Sequence, residues 1–196
     1  MINIKLLAGE RISLTAFTDD DVPPLADWIC DLDLQRLVNP GPVAPVTAQE
    51  LLAEDSWLSH DRKNPQSFVF AVRTKSDNSF IGVVALSDIH KYAQHAELGI
   101  NIGHPNYRGK GYGTEAMTAI LHYGFTELNL NRIFLNVFSY NAPARQLYDK
   151  MGFVQEVVKR EWIFCAGQKH DEITMGLLRS EWETHHASRR EAHHAG

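Results

Sequence analysis

The segment from Arg108 to Thr114 combines residue types that suit the binding of phosphate groups. It reads Arg-Gly-Lys-Gly-Tyr-Gly-Thr, so a glycine occupies every second interior position. Glycines let the backbone approach a ligand closely, and a following helix would direct its unpaired amides and positive dipole end to the same place. Such a turn suits phosphate oxygens, and Arg108 and Lys110 add positive charge. A flexible turn with incidental charges would have the same composition.

Two common nucleotide-binding motifs do not fit this segment. A P-loop ends in Gly-Lys-Ser/Thr, which is absent here. The glycines at 109, 111 and 113 also lack the spacing of a dinucleotide-binding fingerprint. The turn therefore needs its context to be interpreted.

The flanking sequence predicts regular elements that would position the turn. Residues 96–102 suit a strand, and apolar residues recur at helical spacing over residues 114–128. A strand over residues 132–138 and a short helix over residues 143–151 follow, with Asn141 as the N-cap of that helix. The turn is thus predicted to link a strand to a long helix.

The rest of the chain predicts further strands and two early helices. Capping boxes begin the helices, at Thr18 with Asp21 and at Thr47 with Glu50. Further strands are predicted at residues 12–16, 67–72, 81–86 and 174–178. We predict one mixed α/β (α+β) domain over residues 1–182. A histidine-containing tail over residues 183–196 is expected to be disordered.

Composition narrows the function classes. The chain of 196 residues carries 19 basic and 24 acidic residues, a net charge of −5, and shows no basic stripe, which disfavours a nucleic-acid-binding protein. No apolar run approaches the roughly 20 residues of a membrane helix, and no secretory signal is evident. Cys30 and Cys165 lack metal-ligand or disulfide-framework spacing, so a cytoplasmic protein without a metal site is expected.

Three ordered blocks of sequence resemble the GCN5-related N-acetyltransferase (GNAT) superfamily. Arg108-Gly-Lys-Gly-Tyr-Gly113 fits its Arg/Gln-x-x-Gly-x-Gly/Ala motif, and Ala96 to Ile102 resembles the strand before it. Residues 141–148 and 151–153 resemble its Asn…Tyr…Leu-Gly-Phe block. The Glu-Leu-Gly opening and the Asn-to-Tyr spacing are similar to the RimJ/RimL-type branch, which includes ribosomal-protein N-terminal and spermidine acetyltransferases. The resemblance implies a mostly antiparallel mixed sheet, splayed between strands 4 and 5, with flanking helices.

The resemblance also implies acetyl-CoA as the acyl donor, without a metal. Its pyrophosphate would bind the turn, and its pantetheine arm would pair with strand backbone. The implied cofactor-binding residues are Ile100, Asn101, Ile102, Arg108, Gly109, Lys110, Gly111, Tyr112, Gly113, Thr114, Asn141 and Arg145.

Two side chains are implied as catalytic. Tyr148 would give the departing CoA thiolate a proton or a hydrogen bond, although it could simply pack beside Leu147. Glu97 would take a proton from the amine, although it could be an ordinary surface carboxylate or be replaced by a water chain. His90, His95 and His104 flank the same strand and could shuttle protons or be surface residues.

The acceptor is left open by the sequence. The first third is acidic, which suits a cationic polyamine or a basic N-terminus, but it also suits a solvated face with helix caps. The expected enzyme forms a ternary complex and acetylates a primary amine, on a small molecule or a peptide N-terminus. It is expected to bind neither nucleic acid nor membrane, and a homodimer is possible. A non-catalytic acyl-CoA-binding regulatory module is the alternative.

Overall fold

A computed structural model describes residues 7–39 and 41–185 of the chain. These residues form seven strands, six α-helices and the beginning of a further helix after the last strand. The strands are β1 (Ile12–Ala16), β2 (Phe68–Thr74), β3 (Phe80–His90), β4 (His95–Asn101), β5 (Arg132–Phe138), β6 (Val154–Cys165) and β7 (Gln168–Leu178). The helices are α1 (Val22–Cys30), α2 (Leu32–Val38), α3 (Ala48–Leu52), α4 (Trp57–Lys63), α5 (Tyr112–Thr126) and α6 (Ala142–Lys150).

One mixed sheet in the order β1-β2-β3-β4-β5-β7-β6 organises the fold. All neighbouring strands are antiparallel except β4 and β5, which are parallel. That parallel pairing covers only three residue pairs and ends where Glu97 meets Phe134. Beyond this point β4 continues to Asn101 without a partner on its β5 side, so the sheet opens there. This confirms the predicted α/β fold and its splay.

Helix α5 packs against one face of the sheet and makes the larger core. Its buried residues Met117, Ile120 and Phe125 recur at helical spacing, as the sequence predicts. Gly124 lies so close to β5 that a Cβ there would approach Ile133 Cδ1 to 2.8 Å. The absence of a side chain therefore lets the helix sit directly over the sheet.

The other face carries the early helices and a second, smaller core. The sequence predicts two helices before residue 60, but the structure has four, and this part of the prediction is wrong. Asp31 is extended between α1 and α2, and its side chain caps α2 through the amides of Asp33 and Leu34. Ala53 is likewise extended after α3, and Ser56 caps α4. A local cap therefore interrupts each of the two predicted helices, and apolar periodicity does not reveal such a cap.

The last two strands also differ from prediction. β6 was not predicted, and β7 begins at Gln168 rather than at Thr174. Two register irregularities in the β6–β7 pairing disrupt the alternation that normally identifies a strand. Most of β6 is exposed because it forms one edge of the sheet.

Residues 179–185 are helical, so residues 183–185 of the predicted tail continue this short helix. Trp182 on it stacks on Phe125 of α5 with ring centroids 5.1 Å apart. The remainder of the predicted tail, residues 186–196, lies outside the described residues. No helix in the described part of the chain is long and apolar enough to cross a membrane.

Candidate active site

The glycine-rich turn presents a run of backbone amides without partners. Within the described residues, the N–H groups from Gly109 to Thr114 donate no hydrogen bond, because the turn and the first turn of α5 offer no acceptor. Gly109 and Gly111 have φ of +69° and +85°, which glycine adopts without strain. The predicted anion-binding turn therefore has free donors beside the N-terminus of a 15-residue helix.

Arg11, which the sequence analysis did not single out, braces this turn. Its Nη2 donates to the carbonyl of Lys110 at 3.1 Å, and its guanidinium lies 4.4 Å from the centre of the Tyr112 ring. Its Nε donates to Glu115 Oε1 at 2.6 Å. Arg11 immediately precedes β1, far from the turn in sequence, so only the folded chain brings them together.

The side chain of Arg108 points away from the free amides. Its Nε donates to the carbonyl of Ile102 at 3.1 Å, and its Nη2 donates to the carbonyl of Gly103. Nη2 also lies 3.4 Å from Asp31 Oδ2, and the N–H of Leu34 and this guanidinium together lower the pKa of Asp31. Arg108 therefore ties the end of β4 to the cap of α2.

A cavity of about 420 Å³ lies beside the turn, where the sheet opens. We call it the loop cavity. Arg108 and Lys150 line it, and it has no carboxylate in its lining. The sequence-predicted residues in its wall are Ile100, Asn101, Ile102, Arg108, Gly109, Gly111, Gly113, Thr114, Asn141 and Tyr148.

A second cavity of about 600 Å³ lies between the sheet and the early helices. We call it the sheet cavity. It is lined by the carboxylates of Asp61, Glu97 and Glu172 and by no lysine or arginine, although Lys159 pairs with Glu172 at 2.5 Å. The charged side chains that line the two cavities thus differ in sign, although Arg108 is paired with Asp31 and Glu172 with Lys159.

Tyr148 lies where the two cavities meet. Both cavities are lined by Ile100, Asn101, Asn141 and Tyr148, together with three apolar residues. The Tyr148 side chain is largely buried, and this burial raises its pKa to about 12. Its hydroxyl has no hydrogen-bond partner among the described residues. The phenol is therefore a neutral donor that can serve a group in either cavity.

Glu97 faces the sheet cavity from the last paired position of β4. Asn136 Nδ2 donates to its Oε1 at 2.8 Å. Asn136 was not predicted as a site residue, because an asparagine within an apolar strand gives no signal of its contacts. The carboxylate and Tyr148 are brought to one cavity, as a proton acceptor and a donor.

The side-chain amide of Asn141 makes two hydrogen bonds. Its Oδ1 accepts from the N–H of Ala144 at 3.2 Å as the N-cap of α6, and its Nδ2 donates to the carbonyl of Leu37. It thereby fixes α6, which carries Tyr148, against α2. Three other predicted site residues, Lys110, Tyr112 and Arg145, line neither cavity. The Arg145 guanidinium donates to the carbonyl of Ser139 at 3.3 Å.

Several of the acidic residues in the first third have structural partners. Asp21 is buried and pairs with Arg73 at 2.5 Å, while Asp19 pairs with Arg62 at 2.8 Å. Glu50 completes the capping box with Thr47. The acidic residues of the sheet cavity are Asp61 of α4, which lies in the first third, and Glu97 of β4 and Glu172 of β7, which lie further along the chain.

The predicted histidines do not form a second centre. His90 Nδ1 and His104 Nδ1 accept hydrogen bonds from nearby amides, and His95 stacks on His90. Among the described residues, no group of three or more histidine, cysteine or carboxylate side chains is arranged to hold a metal.

A sheet that opens beside a glycine-rich turn, with a carboxylate and a phenol at the opening, defines the acyltransferase class that the sequence resembles. The chain belongs to the acetyltransferase (GNAT) domain family, whose pattern it matches over residues 11–154. It is an N-acetyltransferase, as are the relatives it matches.

Several of these relatives are characterised by name. A spermidine N(1)-acetyltransferase from Vibrio cholerae is 36% identical over 66% of this chain and 73% of that protein. The human alpha/beta-tubulin-N-acetyltransferase 9 is 27% identical over 91% of this chain and 85% of that protein. The structure of spermidine N-acetyltransferase from Vibrio cholerae in complex with CoA and spermine has a TM-score of 0.79 at 26% identity. It covers 88% of this chain and 98% of that chain.

Proposed function

We propose that this enzyme transfers acetyl from acetyl-CoA to a primary amine of a cationic small molecule of the polyamine type. The observation that carries this proposal is the meeting of two oppositely charged cavities at Tyr148. Phosphates of a donor suit the basic loop cavity, and an ammonium group suits the carboxylate-lined sheet cavity. Relatives that are spermidine acetyltransferases support the same acceptor class.

The turn and the open edge of β4 fit acetyl-CoA as the donor. The free amides from Gly109 to Thr114 would hold its pyrophosphate. The unpaired side of β4 at Ile100 to Ile102 would hold the pantetheine arm as an added strand does. No Cβ is present at Gly109, and a Cβ there would meet nothing within 4 Å, so the backbone is open to a ligand.

In this proposal Glu97 acts on the attacking amine, and Tyr148 acts on the departing sulfur. Glu97 takes one proton from the bound ammonium, directly or through water, so that the amine nitrogen can form the new C–N bond. Tyr148 donates a hydrogen bond to the sulfur as the C–S bond breaks. After the C–N bond forms, the nitrogen loses a second proton through solvent, and the departing thiolate takes up one proton. The overall reaction therefore consumes a protonated amine and a thioester and yields an amide, a free thiol and one proton released to solvent.

The buried phenol is suited to hydrogen bonding rather than to complete proton transfer. A pKa of about 12 exceeds that of an ordinary thiol, about 8.5, so full transfer to the thiolate would be unfavourable. Donation of a hydrogen bond to developing negative charge needs no such transfer.

A thiol-release assay tests the proposal. Wild-type enzyme with acetyl-CoA should release free thiol in the presence of spermidine or spermine and much less with a peptide whose N-terminal amine is its only cationic group. Glu97→Gln should lower kcat/KM by roughly 100-fold, since a general base contributes on this order. Thiol release with none of the amines, or equal rates for the polyamines and the peptide, would contradict the proposed acceptor class.

The acetylated product identifies the acceptor site. Mass spectrometry of the spermidine reaction should show a gain of one acetyl group that requires the enzyme. The homodimer and the cytoplasmic location implied by the sequence stay predictions.

A further inference from the structure

Side chains on three neighbouring strands form a chain of hydrogen bonds that ends on Glu97. The Thr174 Oγ1 on β7 donates to Asn136 Oδ1 on β5 at 2.7 Å. Asn136 Nδ2 in turn donates to Glu97 Oε1 on β4 at 2.8 Å. Asn136 and Thr174 are direct cross-strand partners, whereas Asn136 lies two residues beyond the last β4–β5 pair. This series of hydrogen bonds therefore crosses the point where the sheet opens.

The Glu97 carboxylate selects the nitrogen end of the Asn136 amide, and the Thr174 hydroxyl bonds the oxygen end. A carboxylate only accepts, so it faces the donating nitrogen, whereas the hydroxyl, which can donate or accept, donates to the oxygen on the β7 side. This second hydrogen bond supports the amide in the orientation that the carboxylate requires. If the amide were reversed, its oxygen would face a carboxylate oxygen, which is repulsive.

This arrangement gives the Glu97 carboxylate a hydrogen-bond donor in an acidic environment. Asp61 of α4 and Glu172 of β7 line the same cavity, as does Tyr148 of α6. His95 precedes Glu97 by two residues on β4, and Lys159 is paired with Glu172. Among the described residues, the only hydrogen bond to the Glu97 carboxylate comes from Asn136. That donor fixes the direction of the carboxylate beside the neighbouring acidic side chains.

We propose that Asn136 and Thr174 are positioning residues that hold the Glu97 carboxylate directed into the sheet cavity. This inference rests on the proposed function, because it assigns a device that serves Glu97 as the base. Thr174 itself does not line either cavity and acts only through Asn136.

Substitution of Thr174 tests this series of hydrogen bonds without changing a residue that lines either cavity. Thr174→Val removes the hydroxyl and keeps a β-branched residue in the strand, while Thr174→Ser keeps the hydroxyl. In Thr174→Val, the acid limb of the kcat/KM profile should move to higher pH by about half to one unit, the size expected for loss of the one neutral hydrogen bond that supports the Asn136 amide. Thr174→Ser should restore the wild-type profile. A general loss of structure would instead lower kcat/KM at every pH.

Thr15→Val is the matched control. Thr15 is also a half-buried strand threonine whose hydroxyl bonds a side chain, here accepting from Arg73 Nε at 3.1 Å, but it lies in β1 outside both cavities. This variant should leave the pH profile unchanged, whatever its effect on the melting temperature.

The same substitutions in the Glu97→Gln background separate the two proposals. If Glu97→Gln alone leaves kcat/KM at the wild-type value, the assignment of Glu97 as the base is wrong. If Glu97→Gln lowers activity, Thr174→Val should cause no further loss in that background. Additive losses, or an unmoved acid limb in Thr174→Val, would overturn the positioning inference and leave the proposed function standing.

Discussion

At the scale of single residues, Tyr148 is the group whose chemistry depends most on its burial. Its pKa of about 12 lies above the usual value of about 10, so the hydroxyl keeps its proton through neutral and mildly alkaline pH. Tyr148→Phe should lower kcat by roughly 100-fold and leave the dissociation constant of acetyl-CoA nearly unchanged. Steady-state kinetics and calorimetric titration with acetyl-CoA measure these two quantities.

The same burial gives the sign of the pH dependence. Because the folded state raises the pKa of Tyr148, titration of this phenol should not reduce kcat at any pH below about 10. Tyr123→Phe is a matched control, since Tyr123 is a buried tyrosine of α5 that lines neither cavity. Unchanged turnover in Tyr148→Phe, or an equal loss in Tyr123→Phe, would remove Tyr148 from the mechanism.

Sequence predicts residue types at this site better than it predicts where their side chains point. The spacing of Arg108, Asn141 and Tyr148 correctly leads to one region of the fold, because short motifs fix local backbone. The orientation of Arg108 depends on Asp31 and on the end of β4, which are distant in sequence. The brace from Arg11 was missed for the same reason.

At the scale of elements, the turn before α5 depends on glycines that adopt positive φ. Gly109→Ala would place an L-residue at φ +69°, which costs roughly 1 kcal/mol, so the turn should relax and misdirect its amides. We expect KM for acetyl-CoA to rise about tenfold, the equivalent of one lost hydrogen bond to a charged group. Initial rates at varied acetyl-CoA measure this change.

Gly167→Ala is a closely matched control. Gly167 has φ of +80° in the β6–β7 turn, and, as at Gly109, a Cβ there would meet nothing within 4 Å. Both variants should lose a few degrees of melting temperature from similar strain. Only the change at Gly109 should alter KM for acetyl-CoA, and an equal change in both would show that the turn has no special part in donor binding.

Helices and strands with one buried face were predictable from the sequence. Helix boundaries set by caps, and the strand at the edge of the sheet, were not. Helix α5 and strands β1 to β5 follow from apolar periodicity, because their buried faces face a core on at least one side. β6 lies at the edge with most of its residues exposed, so burial imposes no pattern on it. Asp31 and Ser56 end or begin helices through hydrogen bonds that periodicity does not register.

At the scale of the whole molecule, the sheet separates two layers of helices. The two cavities meet only if these layers keep their relative positions. The α5 layer carries the turn, and the early helices close the sheet cavity. Trp28 of α1 packs directly on Gly103, where a Cβ would lie 2.0 Å from its Cε3. Arg108 adds a polar link at the same seam through Asp31. The loop cavity and the sheet cavity are therefore joined at the end of β4.

This seam gives Arg108 a role different from that of Lys110, although both are basic residues of one turn. The Arg108 guanidinium holds two carbonyls and Asp31, with its side chain about one-third exposed at 35%, whereas Lys110 is exposed and forms no side-chain hydrogen bond within the described residues. Arg108→Gln should therefore destabilise the fold by roughly 2 kcal/mol after allowance for solvent screening, or about 4 to 8 °C in melting temperature. Arg108→Lys should be nearly as unstable, because an ammonium cannot reproduce the planar set of donors.

Lys110→Gln should show the opposite pattern. Its melting temperature should match the wild type, while KM for acetyl-CoA should rise and become less sensitive to salt, since one long-range attraction for phosphate is removed. Thermal denaturation and initial rates at low and high ionic strength distinguish the two residues. If Arg108→Lys instead melts like the wild type and keeps its KM for acetyl-CoA, the charge of Arg108 serves the phosphates and the link between the layers is carried by packing alone.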